Sequence, residues 1–179
     1  MPDVELFVDP VCPFCWQTSK WLRQVQRLED LDVGWRFISL AMVNEEAGYD
    51  GMPEHYPAVL AVHAAGLDLR PALVQVGLPE ALAAAAEDRS HDLVLRRETD
   101  DALARAGADV GTPIVAFAPP DGPAFFGLVI SDLPSDEDAV AYYRALELLA
   151  RWPGFAELEW PLRTMPDVQM LAALRRDAA

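Results

Sequence analysis

The stretch Val4-Glu5-Leu6-Phe7-Val8-Asp9-Pro10-Val11-Cys12-Pro13-Phe14-Cys15-Trp16 decides the fold. Val4 to Asp9 alternates and is rich in β-formers, which predicts a first strand, and Asp9-Pro10 ends it. From Cys15 to Asp30 apolar residues recur at Trp21, Leu22, Val25 and Leu28, a three-to-four spacing that predicts an amphipathic helix with Pro13 in its first turn. The chain has 2 cysteines, and both therefore sit at a strand-to-helix junction, on the N-terminal end of a helix.

Working outward, Asp32 to Leu40 reads as a second strand, which after a crossover helix pairs most simply in parallel with the first. Residues 53–108 are rich in Ala and Leu and are punctuated at Gly66, Gly77-Leu78-Pro79 and Ser90, which predicts a helical insertion whose last helix ends at Gly107. Val110 to Phe117 is expected as a strand opened by Pro113, and Ala124 to Ile130 as its antiparallel hairpin partner after the turn residues Pro119-Pro120-Asp121-Gly122. Ser135-Asp136-Glu137-Asp138 has the form of an N-cap with an acidic first turn and starts a helix through about Leu149. Beyond Arg151 the pattern predicts irregular packing and a short helix ending near Arg176. This order describes an α/β protein of thioredoxin-like fold with a helical insertion: residues 1–52 form the first part of the domain, 53–108 the insertion, and 109–179 the second part with a C-terminal tail.

The 179 residues are 52% apolar and 24% charged, enough apolar material for one globular core and a pocket. The net charge of −15 opposes nucleic-acid phosphate and anionic membrane surfaces, so neither is expected as a partner. The start of the chain lacks a basic, apolar, cleavable leader, and no apolar run reaches a membrane span, which predicts a cytoplasmic protein. Oligomeric state leaves no mark on the sequence.

In a reducing cytoplasm a structural disulfide is disfavoured, and a four-residue loop removes little chain entropy in any case. Thiol exchange needs a thiolate nucleophile and a second thiol able to attack the mixed disulfide, and two intervening residues at a helix start give that reach. By position Cys12 is the exposed attacker and Cys15, one turn in, the resolving thiol. Two other readings compete. Half a zinc site lacks partners, because His55, His63 and His91 show no ligand spacing, so no metal is expected. A pair of small core residues is the other. Thr112-Pro113, ahead of a strand in this order, is expected to be a cis-proline loop opposite the dithiol, with the Thr112 backbone free to pair with substrate.

Asp9 to Trp16, Ser39 to Glu45, Pro53-Glu54-His55-Tyr56, Asp109 to Pro113 and Phe125-Phe126-Gly127 together resemble the DsbA-like mycothiol-dependent nitroreductases of actinobacteria, in order from about Val4 to Pro161. The resemblance implies that Cys12 attacks and Cys15 resolves, and that mycothiol is the reducing co-substrate with no bound cofactor. It implies small electrophilic or nitro-aromatic substrates, a pocket lined by Phe14 where the family has Trp, and substrate contacts from Asn44 and Tyr56. Asn44 also fits a loop or cap residue, and Tyr56 a core contact. The segment between Tyr56 and Leu78 is shorter than the family's, which puts part of the pocket wall in question. The rival functions are a general DsbA-like protein disulfide oxidoreductase or isomerase, and a non-catalytic redox-sensing binding module.

Overall fold

The computed structural model describes residues 1–45, 69–108, 110–156 and 158. The expected block around Tyr56, the first part of the insertion and the terminal helix lie outside them. Four strands, β1 (Val4–Val8), β2 (Val33–Phe37), β3 (Ile114–Phe117) and β4 (Ala124–Phe126), form one sheet in the order β2-β1-β3-β4. β1 pairs in parallel with β2, Leu6 opposite Trp35, and antiparallel with β3, Leu6 opposite Val115. β3 and β4 form the expected hairpin, Val115 opposite Phe125. In its turn, a Cβ on Gly122 would lie 1.8 Å from the Phe117 carbonyl oxygen, so only glycine fits.

Because side chains alternate along a strand, the sheet has two faces and both are covered. Val4, Leu6, Val33, Val115 and Phe117 face one core with Trp21, Leu22 and Val25 of α1 (Pro13–Leu28), while Phe7, Ile114 and Ala116 face another. Among the described residues, α2 is the short Leu40–Val43 turn and α3 spans Arg70–Gln75. Helix α4 (Asp92–Ala106) covers the second face, ending as expected at Gly107, and α5 (Asp136–Ala150) packs beside α1 on the first. Ser135 caps α5 by accepting the Asp138 N–H at 3.2 Å.

Helix α4 buries only Thr99 and Ala102, so charge does much of its docking. The Arg36 guanidinium bonds Glu5 on β1 at 3.1 Å and Glu98 on α4 at 3.0 Å, and Arg105 of α4 bonds Glu5 at 2.7 Å. Both cations lie over the Phe7 ring, at 5.0 and 5.7 Å from its centre.

Three expectations shift. Between α3 and α4 the Ala-rich run forms the 3-10 turns Glu80–Ala86 and Arg89–His91, with no residue buried. A run bounded by Pro79 and Ser90 is too short to hold an α-helix without an apolar face to bury. The third strand begins at Ile114 rather than Val110, because Pro113 has no N–H for a ladder. The fourth ends at Phe126 rather than Ile130. Gly127 takes φ +113 and turns the chain toward α1, where Thr18 donates its hydroxyl to the Leu128 carbonyl and Gln17 its amide to Ser131 at 3.1 Å. Gln24 likewise bonds the Pro134 carbonyl at 3.0 Å. No helix among the described residues is long and apolar enough to cross a membrane.

Trp21 is fully buried, its indole N–H donating to the Ala139 carbonyl at 3.2 Å and its ring meeting Tyr143 at 6.4 Å. Trp21→Ala is expected to cost about 3–5 kcal/mol, read as a lower urea midpoint with an unchanged slope.

Candidate active site

The first N–H groups of a helix need acceptors from outside it, usually a Ser, Thr, Asp or Asn oxygen at the N-cap. Here the N-cap of α1 is Cys12, with extended backbone, Pro13 following, and no acidic side chain in the first turn. Its sulfur accepts the Cys15 N–H at 3.5 Å and donates its proton to the Thr112 carbonyl at 3.7 Å. A thiol in a cap position gains from losing that proton, because the anion is the better acceptor at the positive end of the helix.

The Cys12 thiol is accordingly lowered to about 7, first by the hydrogen bond from the Cys15 thiol and then by Thr112 and the N–H groups of Cys15 and Phe14, with burial opposing them. Cys15 moves the other way. Burial first, and then its bond to Cys12 and the charge there, hold it well above its ordinary value. The two thiols are thus split into one that ionises near neutrality and one that keeps its proton, a division of labour that suits attack followed by resolution.

Cys12 is not the exposed sulfur that its position predicts: it is 3% accessible. It forms one cluster with Cys15 and Leu40, with Val8, Val11 and Phe14 packed around it, because the start of α2 folds back over the end of β1. The exposed group at this end of α1 is Trp16, 57% accessible.

The Thr112–Pro113 bond is cis. Thr112 is buried, and its backbone carbonyl, expected to be free for substrate, faces the Cys12 sulfur. The Thr112 hydroxyl has no hydrogen-bond partner among the described residues, yet lies near enough to both sulfurs to favour their anions. The Gly127 N–H holds the Pro113 carbonyl at 2.8 Å. At the same edge the Phe126 ring lies against Gly111, where a Cβ would stand 3.2 Å from it.

Phe14 is half-buried in the dithiol cluster. Asn44 is buried and closes α2: its amide donates to the Leu40 carbonyl at 2.7 Å, as a cap residue does, so it meets the dithiol through Leu40. Tyr56 lies outside the described residues.

Two residues of the site escape a reading of the sequence. Leu40 is buried in one cluster with both cysteines, and Asp9, legible only as a strand breaker, is 7% accessible with every polar group engaged. Its carboxylate accepts the Val11 N–H at 2.9 Å and the Leu40 N–H at 2.7 Å. Its carbonyl accepts the Cys12 N–H at 3.0 Å, and its own N–H points at the Cys15 sulfur at 3.4 Å. An Asp-Pro step into a cysteine pair is the one available signal.

An α/β protein with a dithiol at a helix N-terminus, one thiol lowered and the other raised, has an arrangement chemically capable of thiol exchange. The chain matches the Rv2466c-like family, described as mycothiol-dependent nitroreductase Rv2466c, over residues 11–67 and 65–160, and belongs to that family. It is also similar to the uncharacterized protein Rv2286c of Mycobacterium tuberculosis, 28% identical over 96% of this chain and 87% of the relative.

Alkylation by iodoacetamide is expected to rise with pH through a midpoint of about 7 for Cys12, because the thiolate is the reacting form, while Cys15 stays unmodified across that range. Mass mapping of the alkylated peptide reads both at once. Equal labelling of the two cysteines would contradict the split.

Proposed function

We propose that the protein is a cytoplasmic thiol-disulfide oxidoreductase of thioredoxin-like, DsbA-like architecture that uses mycothiol as its reducing co-substrate, with no bound cofactor. It acts on small electrophilic or nitro-aromatic compounds or mixed disulfides. The observation that carries this reading is the Cys12 sulfur, lowered to about 7 at the N-cap of α1 with a protonated Cys15 one turn behind it. Membership of a family named for mycothiol-dependent nitroreduction supports the choice of reductant and acceptor. The strand order, with β1 parallel to β2 and antiparallel to β3, supports a thioredoxin-like body built from residues 1–52 and 109–179, with residues 53–108 inserted.

In this reading the Cys12 thiolate attacks one sulfur of a substrate disulfide, forming a new S–S bond while the old one breaks and its electron pair leaves on the other sulfur. Cys12 then carries no charge, so one of the causes that raises Cys15 disappears and Cys15 releases its proton more readily. The Cys15 thiolate attacks the Cys12 sulfur, closing the Cys12–Cys15 disulfide and releasing the second half of the substrate as a thiolate. Two equivalents of mycothiol restore the dithiol and leave as their disulfide. With a nitro-aromatic acceptor the same dithiol supplies two electrons and two protons, giving the nitroso compound and water.

Phe14 offers an aromatic face beside the sulfurs, and the Thr112–Pro113 loop closes the opposite side; Asn44 and Tyr56 complete the substrate contacts by their match to the family. A sulfur this buried is better suited to a slender thiol than to a loop of a folded protein, which favours the small-molecule reading over protein disulfide exchange.

Cys12→Ser is expected to abolish turnover of a nitro-aromatic or mixed-disulfide probe while the far-UV spectrum is unchanged. Cys15→Ser is expected to stall after the first step of disulfide exchange, with one half of the disulfide probe held on Cys12 and seen by mass. Turnover retained by Cys12→Ser would sink the assignment.

A further inference from the structure

A buried carboxylate is costly unless its oxygens are satisfied, and a turn at the end of a strand needs only one of them. Asp9 uses both. One oxygen takes the Val11 N–H within the turn; the other reaches across 31 residues of sequence to the N–H of Leu40, a residue buried in one cluster with both cysteines. The same residue presents its backbone to each cysteine, the carbonyl to the Cys12 N–H and the N–H to the Cys15 sulfur. The carboxylate that ties β1 to Leu40 and the two backbone groups that meet the dithiol thus belong to one residue.

We propose that Asp9 is a positioning residue for the redox step: by clamping the Val11 and Leu40 amides it fixes its own N–H on the Cys15 sulfur and so makes Cys15 a competent leaving group. The inference rests on the reading above in which Cys12 and Cys15 cycle between dithiol and disulfide. When an external thiolate attacks the Cys12 sulfur of that disulfide, a bond forms between the two, the Cys12–Cys15 bond breaks, and its electron pair stays on Cys15. The Asp9 N–H, 3.4 Å from that sulfur, donates to the anion as it forms. A leaving thiol whose anion is better stabilised departs faster. Burial works against that anion, and the Asp9 N–H is one of the groups that offset it.

The carboxylate has two opposed effects on Cys15. Its negative charge disfavours the thiolate, whereas the backbone it holds favours it. Asp9→Asn separates them, since asparagine keeps the shape, loses the charge, and cannot accept from both amides. Equilibrating the full chain in glutathione redox buffers, and following its reduction by glutathione in stopped flow, reads the balance. If positioning governs, Asp9→Asn slows disulfide opening by glutathione about tenfold, because the Cys15 thiolate leaves less readily. Faster opening would make Asp9 merely a charge and overturn the proposal, as would an unchanged rate. A wild-type protein that forms no Cys12–Cys15 disulfide in these buffers would instead sink the functional reading beneath it. Should the variant fail to fold, the wild-type protein decides: the Asp9 amide proton resonance should move on formation of the disulfide, and one that stays put refutes the contact.

Discussion

The structure turns on a single requirement, that the open N–H groups at the start of α1 find an acceptor, and on the sequence meeting it with sulfur in place of oxygen. A hydroxyl cap would satisfy the helix and remain inert. A thiol cap satisfies it best when ionised, so the same bond that starts the helix prepares the nucleophile. Pro13 makes the arrangement economical: its missing N–H leaves one fewer donor to satisfy, and its fixed φ starts the helix directly after the sulfur. Helix formation and thiolate formation are in this sense one equilibrium seen from two sides.

The rest of the fold keeps that cap in place. Helix α1 is held to the sheet by Trp21, Leu22 and Val25, and its polar residues Gln17, Thr18 and Gln24 are buried as well, tied to backbone carbonyls between Leu128 and Pro134. Those bonds run along the helix from near the dithiol to its fourth turn. Segment 127–134 leaves the sheet at Gly127, the residue that also holds the Pro113 carbonyl. The helix bearing the cysteines and the loop facing them are thus anchored to neighbouring points of one stretch of chain.

What was legible in the sequence follows the range of the interactions involved. The cysteine pair at a helix start, the Ser135 cap with its acidic first turn, the Gly107 stop and the hairpin around Gly122 are local signals, each carried by a few adjacent residues. The β1 alternation read through correctly for the same reason. The burial of Cys12 was not legible, because the cover comes from Leu40, and nothing near Cys12 announces which later segment will fold over it. Asp9 ends β1 as its sequence indicates, but its second role is not legible there, because it is a bond to Leu40, 31 residues away. The end of β4 misled because Val129 and Ile130 are good strand formers, while the turn at Gly127 answers to acceptors that Thr18 and Gln17 claim from another element.

The two faces of the sheet differ in the kind of force that closes them. On the α1 side the seam is mainly apolar, with the Glu29–Arg144 ion pair at its edge. On the α4 side it runs through Arg36, Arg105, Glu5 and Glu98, partly open to water. Charges so placed lose attraction as ions crowd in, with a screening length of about 8 Å at physiological strength and about 3 Å at 1 M. Ionic strength therefore bears most on the seam of Arg36, Arg105, Glu5 and Glu98 at the back of the sheet, and less on the helix that carries the sulfurs.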